Sequence, residues 1–172
     1  MYKYKIIMKY LKIYLGIFLA LAASRFIPHP PNFTSLIALS FYIPALFGSR
    51  FIPAIIFSFA LTDLIIGFHN SMIFTWGSVL LIGFLANYFS GGVVKRISGA
   101  LLGSLIFFIV TNFGVWIISE YYEISLAGLI NCYILAIPFF HNSILATILI
   151  STSIECYLKL KEKNYISFSI FK

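Results

Sequence analysis

The sequence predicts an all-α membrane protein with six transmembrane helices and both termini in the cytoplasm, in one transmembrane domain over residues 1–172. Composition is the first observation behind this prediction. Hydrophobic residues make up 61% of the chain and charged residues 10%, whereas soluble domains carry about 25% charged residues. The second is a series of long apolar stretches, and the third is the placement of basic residues at the chain ends and in short gaps between those stretches.

Six apolar stretches have roughly the length of a membrane helix, which needs about 20 largely apolar residues. The predicted spans cover residues 9–24, 34–48, 51–68, 72–90, 97–119 and 139–158. In the first span, Gly16 and Ala20 are small residues at helical spacing, and this pattern suits contact with a partner helix. Gly99 and Gly103 repeat the pattern in the fifth span.

The segment LAGLINCYILAIP, residues 126–138, lies between the last two spans and is too short to cross a membrane. It ends at Pro138, which lacks an amide N–H and breaks or kinks a helix. We therefore predict a short apolar segment that lies on the outer membrane surface, or dips into it, before the last span.

The distribution of basic residues predicts the orientation of the spans. With a cytoplasmic amino terminus, only Arg25 of the 12 Lys and Arg residues falls outside. An alternative interpretation takes the Lys-rich start, the apolar run and the sequence ALAAS as a secretory signal. Cleavage of that signal would leave five spans.

Polar residues collect on the predicted outer side. The loop SRFIPHPPNFTS, residues 24–35, interrupts the apolar sequence and contains Arg25, His29 and Asn32. His69 and Asn70 form a second outer loop. Prolines restrict the backbone, so we expect the first loop to form a shaped rim or lid.

Further polar residues lie in the outer parts of the spans. Asn112, Trp116 and Glu120 are spaced by four residues and are expected to share one helix face. His141 and Asn142 open the last span. The inner half of the spans is interpreted as almost purely apolar, without the polar row to the cytoplasmic face that a channel needs.

Asp63 is a carboxylate within the third span, and we expect Gly67 and Asn70 to continue its helix face. A buried charge of this kind faces a partner, the bundle interior or water. Arg25 is the only outer cation available, so an Arg25–Asp63 contact is predicted.

These residues together predict an outward-facing pocket for a small organic ligand. The predicted ligand-binding or gating residues are Arg25, His29, Asn32, Asp63, His69, Asn70, Asn112, Trp116, His141 and Asn142. A metal held by the three histidines and Asp63 is a weaker interpretation, because no two histidines have the short spacing of dedicated metal sites.

Catalytic and nucleotide-binding signatures are missing from the sequence. It has no GxxxxGK[ST] loop, no HExxH and no GxSxG, so neither an enzyme nor a cofactor is predicted. A Cys132–His141 nucleophile pair stays open as an alternative. The basic residues form no face interleaved with aromatics, which argues against nucleic acid as a partner.

Four blocks carry a resemblance to a known bacterial family. SRFIPHPPNFTSLIALSFYIPALFG, TDLIIGFHN, FFIVTNFGVW and LAGLINCYILAIPFFHN span residues 24–143. The sequence resembles the integral membrane family called domain of unknown function 6580, whose hallmark is the HPPNFT motif. The resemblance implies a multi-pass protein of the bacterial cytoplasmic (inner) membrane.

In size, six spans and outer polar loops, the chain is also similar to the substrate-binding S components of energy-coupling-factor vitamin transporters. That similarity implies capture of a vitamin-like nutrient from the outer face, with a transmembrane coupling subunit and ATPases as partners. It also implies that Gly16 and Ala20 contact the coupling subunit. Corrinoid, flavin, thiamine-precursor and nucleobase-like ligands stay open. The alternative function is a small membrane enzyme or an assembly or scaffold protein acting at the outer leaflet.

Overall fold

The computed structural model describes the backbone of residues 2–170 and the side chains of residues 4, 8 and 10–163. The helices are α1 (Tyr2–Phe26), α2 (Leu36–Phe47), α3 (Ile52–Ile66), α4 (Met72–Leu85), α5 (Val93–Ile118) and α6 (Leu126–Ile170). A 3-10 turn, Ser49–Phe51, leads directly into α3. Residues 2–170 contain no strand, so the predicted all-α class is confirmed.

Among the residues that the structure describes, three helical segments are long and apolar enough to cross a membrane: Ser49–Ile66, Val93–Ile118 and Leu126–Lys163. Helices α2 and α4 are apolar but shorter, with 12 and 14 residues. A 12-residue helix extends about 18 Å, which is less than the roughly 30 Å of a bilayer's hydrocarbon core. The three long segments indicate a membrane protein.

Helix α2 is the centre of the bundle and contacts all five other helices. Most of its residues are buried, including Phe41 and Tyr42. A helix that is apolar all round is stable where other helices cover every side. The loop that precedes α2 and carries the HPPNFT sequence is therefore anchored to the most enclosed element.

Helix α5 approaches α2 and α4 closely through two glycines. A Cβ on Gly99 would stand 2.5 Å from the Phe41 ring, and one on Gly103 would stand 3.1 Å from Ile82. Small residues allow helix backbones to come this near in an apolar environment. The Gly99–Gly103 pair therefore packs inside the chain.

The prediction of a separate segment over residues 126–138 is wrong, because α6 continues from Leu126 through Pro138 to Ile170. Ser125 starts the helix by accepting a hydrogen bond from the Gly128 amide at 3.1 Å. Pro138 removes one helical hydrogen bond. A break in apolar surroundings would leave several backbone groups without partners, which costs more.

The two predicted polar stripes are shorter than expected. Helix α3 ends at Ile66, and Gly67 takes φ 120°, a conformation in which glycine has no steric penalty. Asn70 therefore lies beyond the helix and does not continue the Asp63 face. Helix α5 ends at Ile118, so Glu120 likewise falls outside the stripe of Asn112 and Trp116.

Candidate functional site

Two buried ion pairs lie at opposite ends of the bundle. Arg25 pairs with Asp63 at one end, and Arg96 pairs with Glu155 at the other. We call these the Arg25 end and the Arg96 end. Along α5, Arg96 and Asn112 are separated by about 24 Å of helix, so the two ends are distinct sites.

The predicted Arg25–Asp63 contact is confirmed. Arg25 lies in the last turn of α1, and its Nη2 is 2.6 Å from Asp63 Oδ1 in α3. Nη1 also donates to the Phe59 carbonyl at 3.3 Å and to the Thr62 hydroxyl. The guanidinium carbon sits 4.6 Å from the centre of the Phe59 ring, so an aromatic face also supports the cation.

Asp63 is almost inaccessible, with 1% of its surface exposed. Its second carboxylate oxygen accepts a hydrogen bond from Trp76 Nε1 at 2.7 Å. A buried carboxylate is stable only when paired and hydrogen-bonded, and both conditions are met here. Asp63 therefore fixes Arg25 in place and balances its charge.

Arg25 forms part of the wall of a cleft of about 490 Å³ at this end. The cleft lies between the HPPNFT loop and all six helices. Its polar wall includes Thr34, Ser71, Thr75, Thr111, Tyr122 and Ser143. Its aromatic wall includes Phe59, Phe107 and Phe139. Most of the lining is apolar, with polar groups placed around it, as in binding sites for small molecules.

Four of the ten predicted site residues line this cleft: Arg25, Asn32, His69 and Asn112. Asp63 lies behind Arg25 and does not reach the cleft surface. The Asn112 amide donates to the Phe108 carbonyl one turn earlier in α5, at 2.7 Å. His69 Nδ1 lies 3.0 Å from the Ser71 hydroxyl.

The other five predicted residues lie outside the cleft. Asn142 donates to the Pro31 carbonyl at 3.0 Å and so holds the loop against α6. Trp116 donates to the Glu123 carbonyl at 3.0 Å. His29 Nδ1 lies 2.7 Å from the Pro30 carbonyl. Asn70 lines a different hollow, and His141 is exposed on α6.

The HPPNFT loop is shaped by a tight turn. The Phe33 amide donates to the Pro30 carbonyl at 3.0 Å, and Asn32 has φ 61°. A type II turn favours proline at its second position and needs positive φ at its third, where glycine or asparagine fits. The Pro31–Asn32 order satisfies both requirements, so the loop's unusual composition defines the rim of the cleft.

Replacing Asn32 by valine is expected to lower the free energy of unfolding by about 1–2 kcal/mol, since a β-branched residue is strained at positive φ. Replacing it by glycine is expected to leave stability nearly unchanged. Thermal unfolding of the detergent-solubilised protein measures both. Equal stability of the two variants would contradict this description of the turn.

The predicted alternative of a Cys132–His141 nucleophile pair is not supported by the geometry. The two residues lie on one continuous helix, about 13 Å apart along its axis. Cys132 is buried, and its thiol donates to the Asn112 carbonyl at 3.4 Å.

Nearby, in the loop before α6, burial raises the pKa of the Tyr122 phenol, so this hydroxyl stays neutral at the cleft. Among the described residues, no three His, Cys, Asp or Glu side chains cluster as metal ligands.

The Arg96 end contains functional candidates that the sequence interpretation missed. Arg96 Nε and Nη2 bind the two carboxylate oxygens of Glu155 at 2.7 and 2.6 Å. The Tyr42 hydroxyl donates to the same carboxylate at 3.0 Å. Glu155 also ends a buried row on α6 with Ser143, Thr147 and Ser151.

This row corrects the prediction that no polar row leads toward the far side. Its spacing of four residues was visible in the sequence. The signal was missed because single hydroxyls within a span usually serve as hydrogen-bond contacts between helices.

Gly16 and Ala20, the predicted partner-helix contacts, are both exposed on α1. A Cβ on Gly16 would meet no atom within 4 Å. Ala20 lines a shallow groove together with Ile150 and Ile154 of α6. This face of α1 is therefore open to a neighbouring helix.

Comparison with known proteins adds one finding. Searches of curated proteins and of solved structures give no match to the chain. The family model of DUF6580, a family of unknown function, matches residues 5–167. These residues include most of every helix and the residues of both ion pairs. The chain belongs to the family of unknown function DUF6580.

Proposed function

We propose that the chain is a multi-pass protein of the bacterial cytoplasmic membrane that captures a small organic nutrient at its outer face. In this proposal all six helices cross the membrane, both termini are cytoplasmic and the Arg25 end faces outward. The distribution of basic residues supports the orientation. The short helices α2 and α4 are accommodated because neighbouring helices cover them and satisfy groups at their ends.

The observation that carries the proposal is the cleft at the Arg25 end. Its volume of about 490 Å³ is within the range of small-molecule sites, roughly 300–1,000 Å³. A cleft of this size, lined by residues from all six helices and a turn-shaped loop, is suited to enclose one organic molecule.

The lining of the cleft indicates the chemistry of the solute. Arg25 presents hydrogen-bond donors whose charge Asp63 already balances. No hydrogen bond from Arg25 Nε to a described residue is found, and we propose that this N–H binds a polar edge of the solute. Phe59, Phe107 and Phe139 offer apolar and aromatic contact. These features favour a neutral or singly anionic solute with a flat ring, a class that includes vitamin-like compounds.

Release into the cell is proposed to depend on an ATP-driven module, because the chain itself has no nucleotide-binding loop. The open face of α1, with Gly16 and Ala20, is the proposed contact for its transmembrane coupling subunit. Small residues there permit close helix approach. Experiments on this proposal should first identify the ligand and the partner proteins.

Replacing Asn112 by leucine is expected to abolish solute binding while preserving the fold. Leucine has nearly the same shape, so the cleft keeps its volume but loses an amide from its wall. Native mass spectrometry of protein gently solubilised from its own host measures the small-molecule adduct. The matched control is Asn131→Leu, the same change at an exposed position of α6 outside the cleft.

We expect the adduct in the parent protein and in Asn131→Leu, and its loss in Asn112→Leu. Retention of the adduct in both variants would place the site elsewhere. A parent protein that carries only a lipid, or a second polypeptide without ATPase motifs, would contradict solute capture and favour an enzyme or scaffold at the outer leaflet.

A further inference from the structure

A row of buried polar residues runs along α6 between the two ends of the bundle. Ser143, Thr147, Ser151 and Glu155 are 4%, 0%, 1% and 4% exposed. A spacing of four residues places them on one helix face. A buried polar group in a membrane-spanning helix is costly unless it is hydrogen-bonded, and such groups often mark functional pathways.

The face of this row packs against polar groups of α5 and α2. Ser104 of α5 donates to Thr147 at 2.9 Å, and Arg96 of α5 pairs with Glu155. Tyr42 of α2 donates to Glu155. We call the four α6 residues with Ser104 and Arg96 the α5–α6 seam. Its contacts between helices are hydrogen bonds and an ion pair.

Ser151 adds a polar group to the middle of the seam. Its hydroxyl is buried and meets no partner with standard hydrogen-bond geometry among the described residues, although it lies close to the Tyr42 hydroxyl. A buried hydroxyl with a weak or missing hydrogen bond costs stability. An apolar side chain at this position would serve helix association alone at lower cost.

Both ends of the row open onto cavities. Ser143 lines the cleft at the Arg25 end. Glu155 and Arg96 line a second cavity of about 490 Å³, together with Lys159 and Glu162. Ser143 and Glu155 are about 18 Å apart along the helix. On α6, the row between these two residues contains Thr147 and Ser151.

We propose that the α5–α6 seam is the passage by which the captured solute crosses the protein, closed on the inner side by Arg96, Glu155 and Tyr42. This inference rests on the proposed function and identifies the route of release from the same cleft. Parting α5 from α6 along the seam exposes hydroxyls and charges to a hydrated solute, while nearer the Arg25 end the two helices also meet through contacts of Phe108 with Tyr133 and Phe140. The ion pair and the Tyr42 hydrogen bond re-form when the helices close.

The test measures water access to the seam and needs no ligand. In a Cys132→Ala, Cys156→Ser background, Ser151→Cys is introduced and the protein is reconstituted in vesicles. A membrane-impermeant methanethiosulfonate reagent is then applied from the side of the Arg96 end. We call Arg96, Glu155 and Tyr42 the gate, and we expect slow labelling of Ser151→Cys while these three residues are unchanged. With Glu155→Gln, labelling is expected to be faster by roughly a hundredfold, because removing one charge of a buried ion pair strongly disfavours the paired arrangement.

Two controls distinguish opening of the gate from general loosening of the fold. Glu162→Gln changes an acid of the second cavity that makes no direct ion pair with Arg96 but acts on its charge from a distance, and it is expected to raise labelling of Ser151→Cys far less than Glu155→Gln does. Ser143→Cys, labelled from the side of the Arg25 end, is expected to react equally with and without Glu155→Gln. A variant that merely unfolds would instead raise labelling at both positions.

Tyr42→Phe provides a second gate variant that keeps the ion pair, and a smaller rise in labelling is expected. Unchanged labelling in Glu155→Gln and Tyr42→Phe, with both proteins folded, would overturn the proposal. The result is independent of solute capture. Absence of an adduct in the mass spectrometry experiment contradicts the proposed function, whereas an unreactive Ser151→Cys contradicts only the passage.

Discussion

Replacing Arg25 by methionine is expected to lower the free energy of unfolding by about 3–5 kcal/mol. Methionine keeps much of the apolar stem of arginine but removes the charge. Asp63, which is buried, then keeps Trp76 as a donor but loses its cation. Chemical or thermal denaturation of the protein in a mild detergent measures the loss.

The double variant Arg25→Met with Asp63→Leu distinguishes a lost charge pair from lost packing. Removing both charges is expected to recover most of the stability, because no uncompensated carboxylate remains. Arg50→Met is the matched control, since Arg50 stacks on Tyr10 and Phe51, and a cation–π contact at an accessible site contributes only about 0.5–1 kcal/mol. A double variant as unstable as Arg25→Met would show that the pair's charges are not the cause.

The second large effect is expected at the helix crossing of α5. Gly99→Ala is expected to destabilise the protein by about 1–3 kcal/mol, the usual cost of overpacking a close interface. The added methyl would lie 2.5 Å from the Phe41 ring and 2.6 Å from Phe89 Cβ. The same unfolding measurement applies.

Gly77→Ala is the matched control for this change. Gly77 lies within α4, and a Cβ there would meet nothing within 4 Å. Alanine favours a helix over glycine by up to about 1 kcal/mol, so this variant is expected to be as stable as the parent or more stable. If both alanine variants behaved alike, close packing at Gly99 would not be limiting.

Elements near the Arg25 end were largely predictable from local sequence. The Arg25–Asp63 pair followed from counting charges, because a membrane carboxylate needs a cation and only one was available on that side. The existence of each helix followed from apolar length, and the HPPNFT loop, expected to form a shaped rim or lid, forms part of the cleft wall. Asn32, placed by its turn, and Asn112, placed on a helix, both line the cleft as predicted.

Other features depended on the balance between competing free energies, and a local sequence pattern does not reveal that balance. Pro138 ordinarily ends a helix, yet apolar surroundings make a break more costly than one missing hydrogen bond. Trp116 and Asn142 were expected in the cleft, but each donates to a backbone carbonyl of a loop. Their side chains therefore shape the rim from outside.

The sequence by itself determined the helical class and the pairing of Arg25 with Asp63, because the first depends on composition and the second on the few charged residues available. Only the tertiary structure decided the role of Glu155. Its partners Arg96 and Tyr42 come from two other helices, and helix packing alone brings them together. Packing likewise placed Gly99 against Phe41, and it buried the α6 row that runs from Ser143 in the cleft to the second ion pair. Contacts between distant segments depend on how whole helices fit together.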